Sequence, residues 1–253
     1  MNSSGNLTVR ILAAASIAAA ALARAEDFRV QTQLSYDRIN PSGNIAPDVD
    51  AFSLSGTYYF APVPTDGVPV GEAAYIARSS YANVVASRLD SNAGDVDLLA
   101  ANVGYHVPNT IFFARVGVVR TELPDFGAGS QNDTSWNGTF GIVPIPRLFF
   151  GTDFTEDGWD PNVTARYVGK LANAHWYAAS VSASDPDEGD SEVGIEFDYI
   201  FDSFKVGGGF STGTDRWSVR AERGLPHGFA LLGRVFTDDD GDGFGVTLTW
   251  RDL

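Results

Sequence analysis

The residues able to do chemistry are few and scattered. The 253-residue chain has no cysteine, which removes thiolate nucleophiles and soft-metal ligands. Its three histidines, His106, His175 and His227, lie far apart, and no G-x-S-x-G nucleophile motif accompanies them. One motif stands out near the end: Asp238, Asp240, Asp242 and Gly243 spell D-x-D-x-D-G, the opening of a calcium loop. The twelfth position of such a loop should be Glu, yet here it is Thr249, and Phe244–Thr249 alternates as a strand. The motif therefore predicts a hairpin turn, with Gly241 and Gly243 supplying unusual backbone angles and only a weak surface affinity for divalent ions. No cofactor and no catalytic residue is expected.

The remaining candidates are charges that a lumen could use. Arg29, Arg115, Arg166, Arg220, Arg234 and Arg251, together with Lys205 and Arg216, fall mostly on the polar phase of alternating segments. Glu196, Asp198 and Glu222 could oppose them, as could Glu122 and Asp125 in the loop "TELPDFGAGSQNDTS". Facing a water-filled pore, the two sets would create a transverse field that sorts solutes by charge and dipole. Paired with one another, they would merely fill the interior.

The elements that must position these charges are strands. "FRVQTQLSY" sets Phe28, Val30, Leu34 and Tyr36 against Arg29, Gln31, Gln33 and Ser35. "AFSLSGTYYF", "LAANVGYHV" and "EVGIEFDYIF" repeat the pattern, each about ten residues long and bounded by turn residues. No helix-period segment is expected beyond residue 25. The connections alternate in kind: "VPNT", "VPIPR", "LANAH", "FDSF" and "GLPHG" are compact, whereas "LDSNAGDVD", "SDPDEGDSE" and "TDDDGDG" are acidic. Tight turns at one rim and longer polar loops at the other are the mark of an antiparallel up-and-down transmembrane β-barrel. About fourteen strands are expected, with an error of about two. Tyr75–Leu89 is the least clearly alternating of them. Aromatics near strand ends, among them Tyr36, Tyr58, Phe60, Tyr105, Tyr199, Phe201 and Trp250, fit two interfacial girdles better than the core of a soluble sandwich.

Residues 1–25 read as a cleaved signal peptide. Arg10 precedes the apolar run Ile11–Leu22, and Ala23-Arg24-Ala25 supplies the cleavage pattern. Its removal takes Arg10 and Arg24 and no acid, so the charge moves from −15 to −17 for residues 26–253. Such an acidic chain excludes a nucleic-acid partner, and charge concentrated in external loops predicts a modest cation preference at the mouth.

The stretch "GTYYFAPVPTDGVPVGEAAYIARSS" (Gly56–Ser80) adds a resemblance. An aromatic strand end, Tyr58-Tyr59-Phe60, leads through a Pro-containing turn into P-x-x-E-A-A, here Pro69, Glu72, Ala73 and Ala74. This resembles the general bacterial porins of Gram-negative outer membranes, in wording that covers about a tenth of the chain. The resemblance implies a passive channel for small hydrophilic solutes in the outer membrane. Its partners would be lipid, lipopolysaccharide and the barrel-insertion machinery, with the barrel single or a homotrimer. It also implies a third external loop folded into the lumen, and Pro124-Asp125-Phe126-Gly127 resembles the tip of one. Two departures matter: that loop is short, and the last residue is Leu253 where such barrels end in an aromatic. The alternatives are a non-conducting structural or adhesive barrel and, with less support, an outer-membrane enzyme.

Overall fold

A computed structural model describes residues 27–41, 48–92, 94–123, 131–156, 162–184, 191–213, 215–238 and 241–253. The strands are β1 (Phe28–Pro41), β2 (Val49–Val63), β3 (Tyr81–Ser91), β4 (Val96–His106), β5 (Phe112–Leu123), β6 (Gln131–Ile145) and β7 (Leu148–Thr155). They continue as β8 (Val163–Lys170), β9 (Trp176–Ser184), β10 (Glu192–Phe201), β11 (Phe204–Ser211), β12 (Arg216–Gly224), β13 (Phe229–Asp238) and β14 (Gly241–Arg251). Each pairs antiparallel with its neighbours in sequence. β14 closes on β1 from Gln31↔Arg251 to Pro41↔Gly241, so the fourteen strands form one closed barrel. Closure leaves no unpaired strand edge, which a lipid-facing sheet could not tolerate.

Register assigns the two faces. The outward phase carries exposed Leu34, Phe52, Val84, Leu99, Val116, Ile195, Val219 and Val246. Aromatics on this phase gather in two belts. Toward one end Tyr36 packs on Phe52, Trp136 on Phe154 and Phe210 on Trp217. Toward the other, Tyr58 lies by Phe60, Tyr167 by Tyr177 and Phe201 by Phe204. Amphipathic rings at two levels around an apolar band are what a membrane-spanning barrel requires.

The second belt lies at the end with short turns, at 107–111, 146–147, 171–175, 202–203 and 225–228. Each turn holds one non-glycine residue with positive φ: Asn109, Arg147, Ala174, Asp202 and His227. The acidic connections at the opposite end lie largely outside the described residues.

Four local expectations are corrected. A register shift between Phe28 and Val30 turns Phe28 inward, where it is fully buried beside Tyr59 and Val63. Gly241 and Gly243 are strand residues without positive φ; their missing side chains instead make room for the Asn40 and Arg38 carbonyl oxygens. The strand expected from Tyr75 begins at Tyr81. Before it, Val70–Glu72 forms a 3-10 turn and Ala73–Ile76 a short helix, α1, where no helix was expected. The reason is burial. Ala73 joins Phe28, Tyr59 and Val63, while Val68, Tyr75 and Ile76 pack on Val168, Trp176, Ala178 and Ile200. Those clusters belong to inward faces on opposite sides of the barrel. The β2–β3 connection, 64–80, therefore crosses the lumen at the short-turn end and plugs much of it.

Candidate functional site

The inward phase is polar, and its charges pair along the wall in a recurring way. Arg220 on β12 reaches over Gly207 on β11 to Asp198 on β10. Its Nε and Nη2 donate to the two Asp198 oxygens at 2.7 and 3.0 Å, and Nη1 lies 3.1 Å from Glu196. Arg234 on β13 likewise reaches over Gly245 to Asp37 on β1, donating at 2.9 and 2.7 Å. A side chain at Gly207 would collide with Asp198, and one at Gly245 with Asp37. On the other wall Arg115 approaches Asp153 at 3.4 Å, with Thr139 between them also bonded to Asp153. In each row a small or short residue lets an arginine reach a carboxylate two strands away, and of the three contacts Arg220–Asp198 is the bidentate one, the strongest geometry.

Solvent reaches these rows. Arg234 is 48% exposed and Glu196 52%, although both face inward. Exposure then falls toward the plug. Lys205 is 20% exposed and Glu222 21%, the two being 3.1 Å apart, and Glu72 on the plug is 3% exposed. Glu72 accepts from Arg166 at 2.6 Å and stands 4.0 Å from Lys205. Burial raises the Glu72 carboxyl above its ordinary value, and Arg166 and Lys205 only partly offset this.

The plug is held by more than this charge. The Tyr75 hydroxyl lies 3.1 Å from the Arg147 carbonyl oxygen and 2.8 Å from that of Arg166. Burial pushes this phenol up to about 12, so it stays protonated as a donor. The Arg166 guanidinium stacks 4.7 Å from the Tyr75 ring centroid. Arg78 donates to the Val143 and Thr110 carbonyls. Leu253 packs on the Phe28 cluster, and Asp252 accepts from the Arg29 and Val30 amides at 2.8 Å each. The chain end thus turns inward as well.

The sequence-derived candidates divide accordingly. Arg115, Arg166, Arg220, Arg234, Glu196, Asp198 and Glu222 occupy the inward register, and Arg251 does too, buried with its Nε donating to Gln31. Arg29 sits in the irregularity beside Phe28, outside the paired register. Glu122 pairs with Arg120 on the outward phase rather than entering the lumen. Asp242 is also outward, opposite Asn40; Asp240, Asp125 and the Asp238 side chain lie outside the described residues. Among the described residues no group of three or more His, Asp or Glu could hold a metal ion. His106, His175 and His227 stand on separate strands or turns, His175 bonded to the Tyr199 hydroxyl.

Two residues central to this arrangement were not among the charges expected to face the lumen: Glu72, named only within the P-x-x-E-A-A motif, and Asp37, the partner of Arg234. Glu72 did carry a signal, being the lone acid in the apolar run "VPVGEAAYIA".

Among the described residues, three cavities surround the plug. One of about 570 Å³ lies above it, bounded by Arg115, Asn102 and Phe149 and floored by Ala74, Tyr75 and Ser79. A second, about 410 Å³, lies along the opposite wall between Gln33, Glu196 and Arg220. A third, about 480 Å³, lies at the short-turn rim between Gly71 and Pro226.

Comparison with known proteins agrees with this architecture. No protein-family model matches the chain, and no curated protein matches it in sequence, so the Gly56–Ser80 resemblance gains no support there. Among solved structures, the outer membrane protein Omp33 of Acinetobacter baumannii superposes with a TM-score of 0.70. The identity is 16%, over 90% of this chain and all of that one. The KdgM porin (TM-score 0.42, 11% identity, 86% and 98% covered) and a Rhodopseudomonas blastica porin variant (0.43, 9%, 88% and 99%) superpose too loosely to carry weight. The Omp33 likeness shows a shared fold, the closed fourteen-stranded barrel.

Proposed function

We propose that this chain is an outer-membrane channel through which small hydrophilic solutes move by diffusion, with no chemistry at the site. The observation that carries the reading is an inward-facing polar wall on which charges such as Arg234 and Glu196 are reached by solvent above an inturned segment. A barrel that served only as a scaffold would gain more from apolar filling than from exposed ion pairs. The apolar outward band and its two aromatic belts support placement in a membrane, and the neighbour's designation as an outer membrane protein supports which one. Export through the leader at 1–25, insertion by the barrel-assembly machinery, contact with lipid and lipopolysaccharide, and assembly as one barrel or three belong to the same proposal.

One observation favours a second reading, a non-conducting structural barrel. The plug buries Ala73 completely against Phe28 and Val63, as a permanent seal would. Liposome swelling separates the two. Vesicles containing the purified protein should swell in small neutral polar solutes, more slowly as solute size grows. Swelling no faster than in protein-free vesicles would favour the structural barrel.

A further inference from the structure

The plug does not seal the lumen evenly, and the difference points to a route. Toward β2–β8 it is fastened by hydrogen bonds to backbone carbonyls and by buried apolar packing. Tyr75 caps the Arg147 and Arg166 carbonyls, Arg78 those of Thr110 and Val143, and Val68, Tyr75 and Ile76 cover the Val168–Trp176 cluster. The large cavity above that side is floored by Tyr75 and Ala74, and it adjoins the cavity of the opposite wall, with which it shares Thr164 and Arg166. Toward β10–β14 the contacts are of another kind. Gly71 presents no side chain, and a methyl placed there would lie 3.5 Å from Glu222 Oε1. Beyond it stand the charged side chains Lys205, Glu222 and Arg251, with Glu72 beside it, set among apolar lining that includes Ile200, Ala230 and Leu253.

Two cavities meet at this place. The one along the β10–β14 wall and the one at the short-turn rim share Lys205 and Glu222 as lining. The upper cavity reaches the exposed Glu196; the lower is bounded by the turns at 202–203 and 225–228. The partly exposed Lys205 and Glu222 can change rotamer without breaking backbone hydrogen bonds, whereas packed apolar residues and backbone hydrogen bonds must break cooperatively.

We propose that solute crosses the plug level along the β10–β14 wall, through a throat formed by Glu72, Lys205, Glu222 and Arg251, and that Lys205 and Glu222 determine its selectivity. This rests on the channel reading above. The throat presents two cationic and two anionic groups, so it suits small ions of either sign and small zwitterions, which can replace both members of the Lys205–Glu222 pair as they pass. Selectivity between cations and anions is therefore set by the balance of this throat, and changing one of its charges tips that balance. The cavity floored by Tyr75 is a side chamber rather than part of the route.

The full chain lacks cysteine, so single thiols can be placed without background. In planar bilayers, current through Glu222→Cys should be blocked by a bulky thiol reagent, while Asn102→Cys, in the side chamber, should keep its current. Lys205→Ala should raise the cation-over-anion permeability ratio by about fivefold or more, the factor one unit charge supplies at about 4 Å in water. Arg115→Ala, in the side chamber, should change the ratio less than Lys205→Ala does. Block at Asn102→Cys without block at Glu222→Cys, or selectivity that follows Arg115 and ignores Lys205, would overturn the route while leaving a conducting porin. A wild-type protein with no current would remove the channel reading and the route together.

Discussion

Arg166→Gln isolates the electrostatics that seat the plug. Glu72 is 3% exposed and its nearest cation is Arg166 at 2.6 Å; Lys205 at 4.0 Å is shared with Glu222. Removing one partner of a fully buried pair costs about 3–5 kcal/mol, because the other charge is left desolvated and unpaired. Two features reduce that figure. Arg166 is 36% exposed, so water screens the pair, and Lys205 continues to compensate Glu72 in part. About 1–2 kcal/mol remains, equivalent to a factor of about 5–30 in the ratio of docked to undocked plug. The assay is thiol labelling of Ala73→Cys, a position with no exposure in the docked state and no competing cysteine in the chain. Arg166→Gln should accelerate labelling by that factor. Adding Glu72→Gln should bring the rate back, because it removes the buried charge that Arg166 compensates. An unchanged rate in Arg166→Gln, or a double variant that labels as fast as the single one, would refute the electrostatic account of docking.

Three further expectations follow from the same geometry. The docked Glu72 carboxyl is raised above its ordinary value of 4.5, foremost by burial, against the pull of Arg166 and Lys205 and with the push of Asp198 and Glu222. The extra docking stability is thus fully present below the undocked value and is lost as pH rises through the docked one, so Ala73→Cys labelling, taken relative to a freely exposed thiol at the same pH, should slow on acidification, and Glu72→Gln should abolish that relative dependence. Val219→Arg, at a lipid-facing position 64% exposed, should destabilise the barrel by about 2–4 kcal/mol in urea titration from vesicles, whereas Gln33→Arg on the inward face should be tolerated. Gly207→Ala should displace Asp198 from Arg220 and cost about 1–3 kcal/mol, read as a lower temperature for loss of the folded band on unboiled gels.

Strand number and facing were legible because a period of two is imposed by lipid on one side and water on the other. Leu34, Phe52, Leu99 and Ile195 fall on the face their alternation assigns. Parity also carried information that went unused. Glu122 is an odd number of residues from Arg115 in one unbroken strand, so the two cannot share a face. Phe28 lay beyond this logic, since a one-residue irregularity reverses every side chain before it. The plug was harder still. Its residues are apolar because they meet the inside of the barrel, and that burial leaves no helical or strand period over so few positions. The Arg220–Asp198 and Arg234–Asp37 pairs bridge strands that are not neighbours, so they depend on registers that composition does not specify.

The most direct test of the central claim is the current carried by the purified full chain in a planar bilayer bathed in potassium chloride. A diffusion channel should give discrete, reproducible conductance steps that scale with salt concentration. A protein that is folded and heat-modifiable on gels yet carries no current would contradict it.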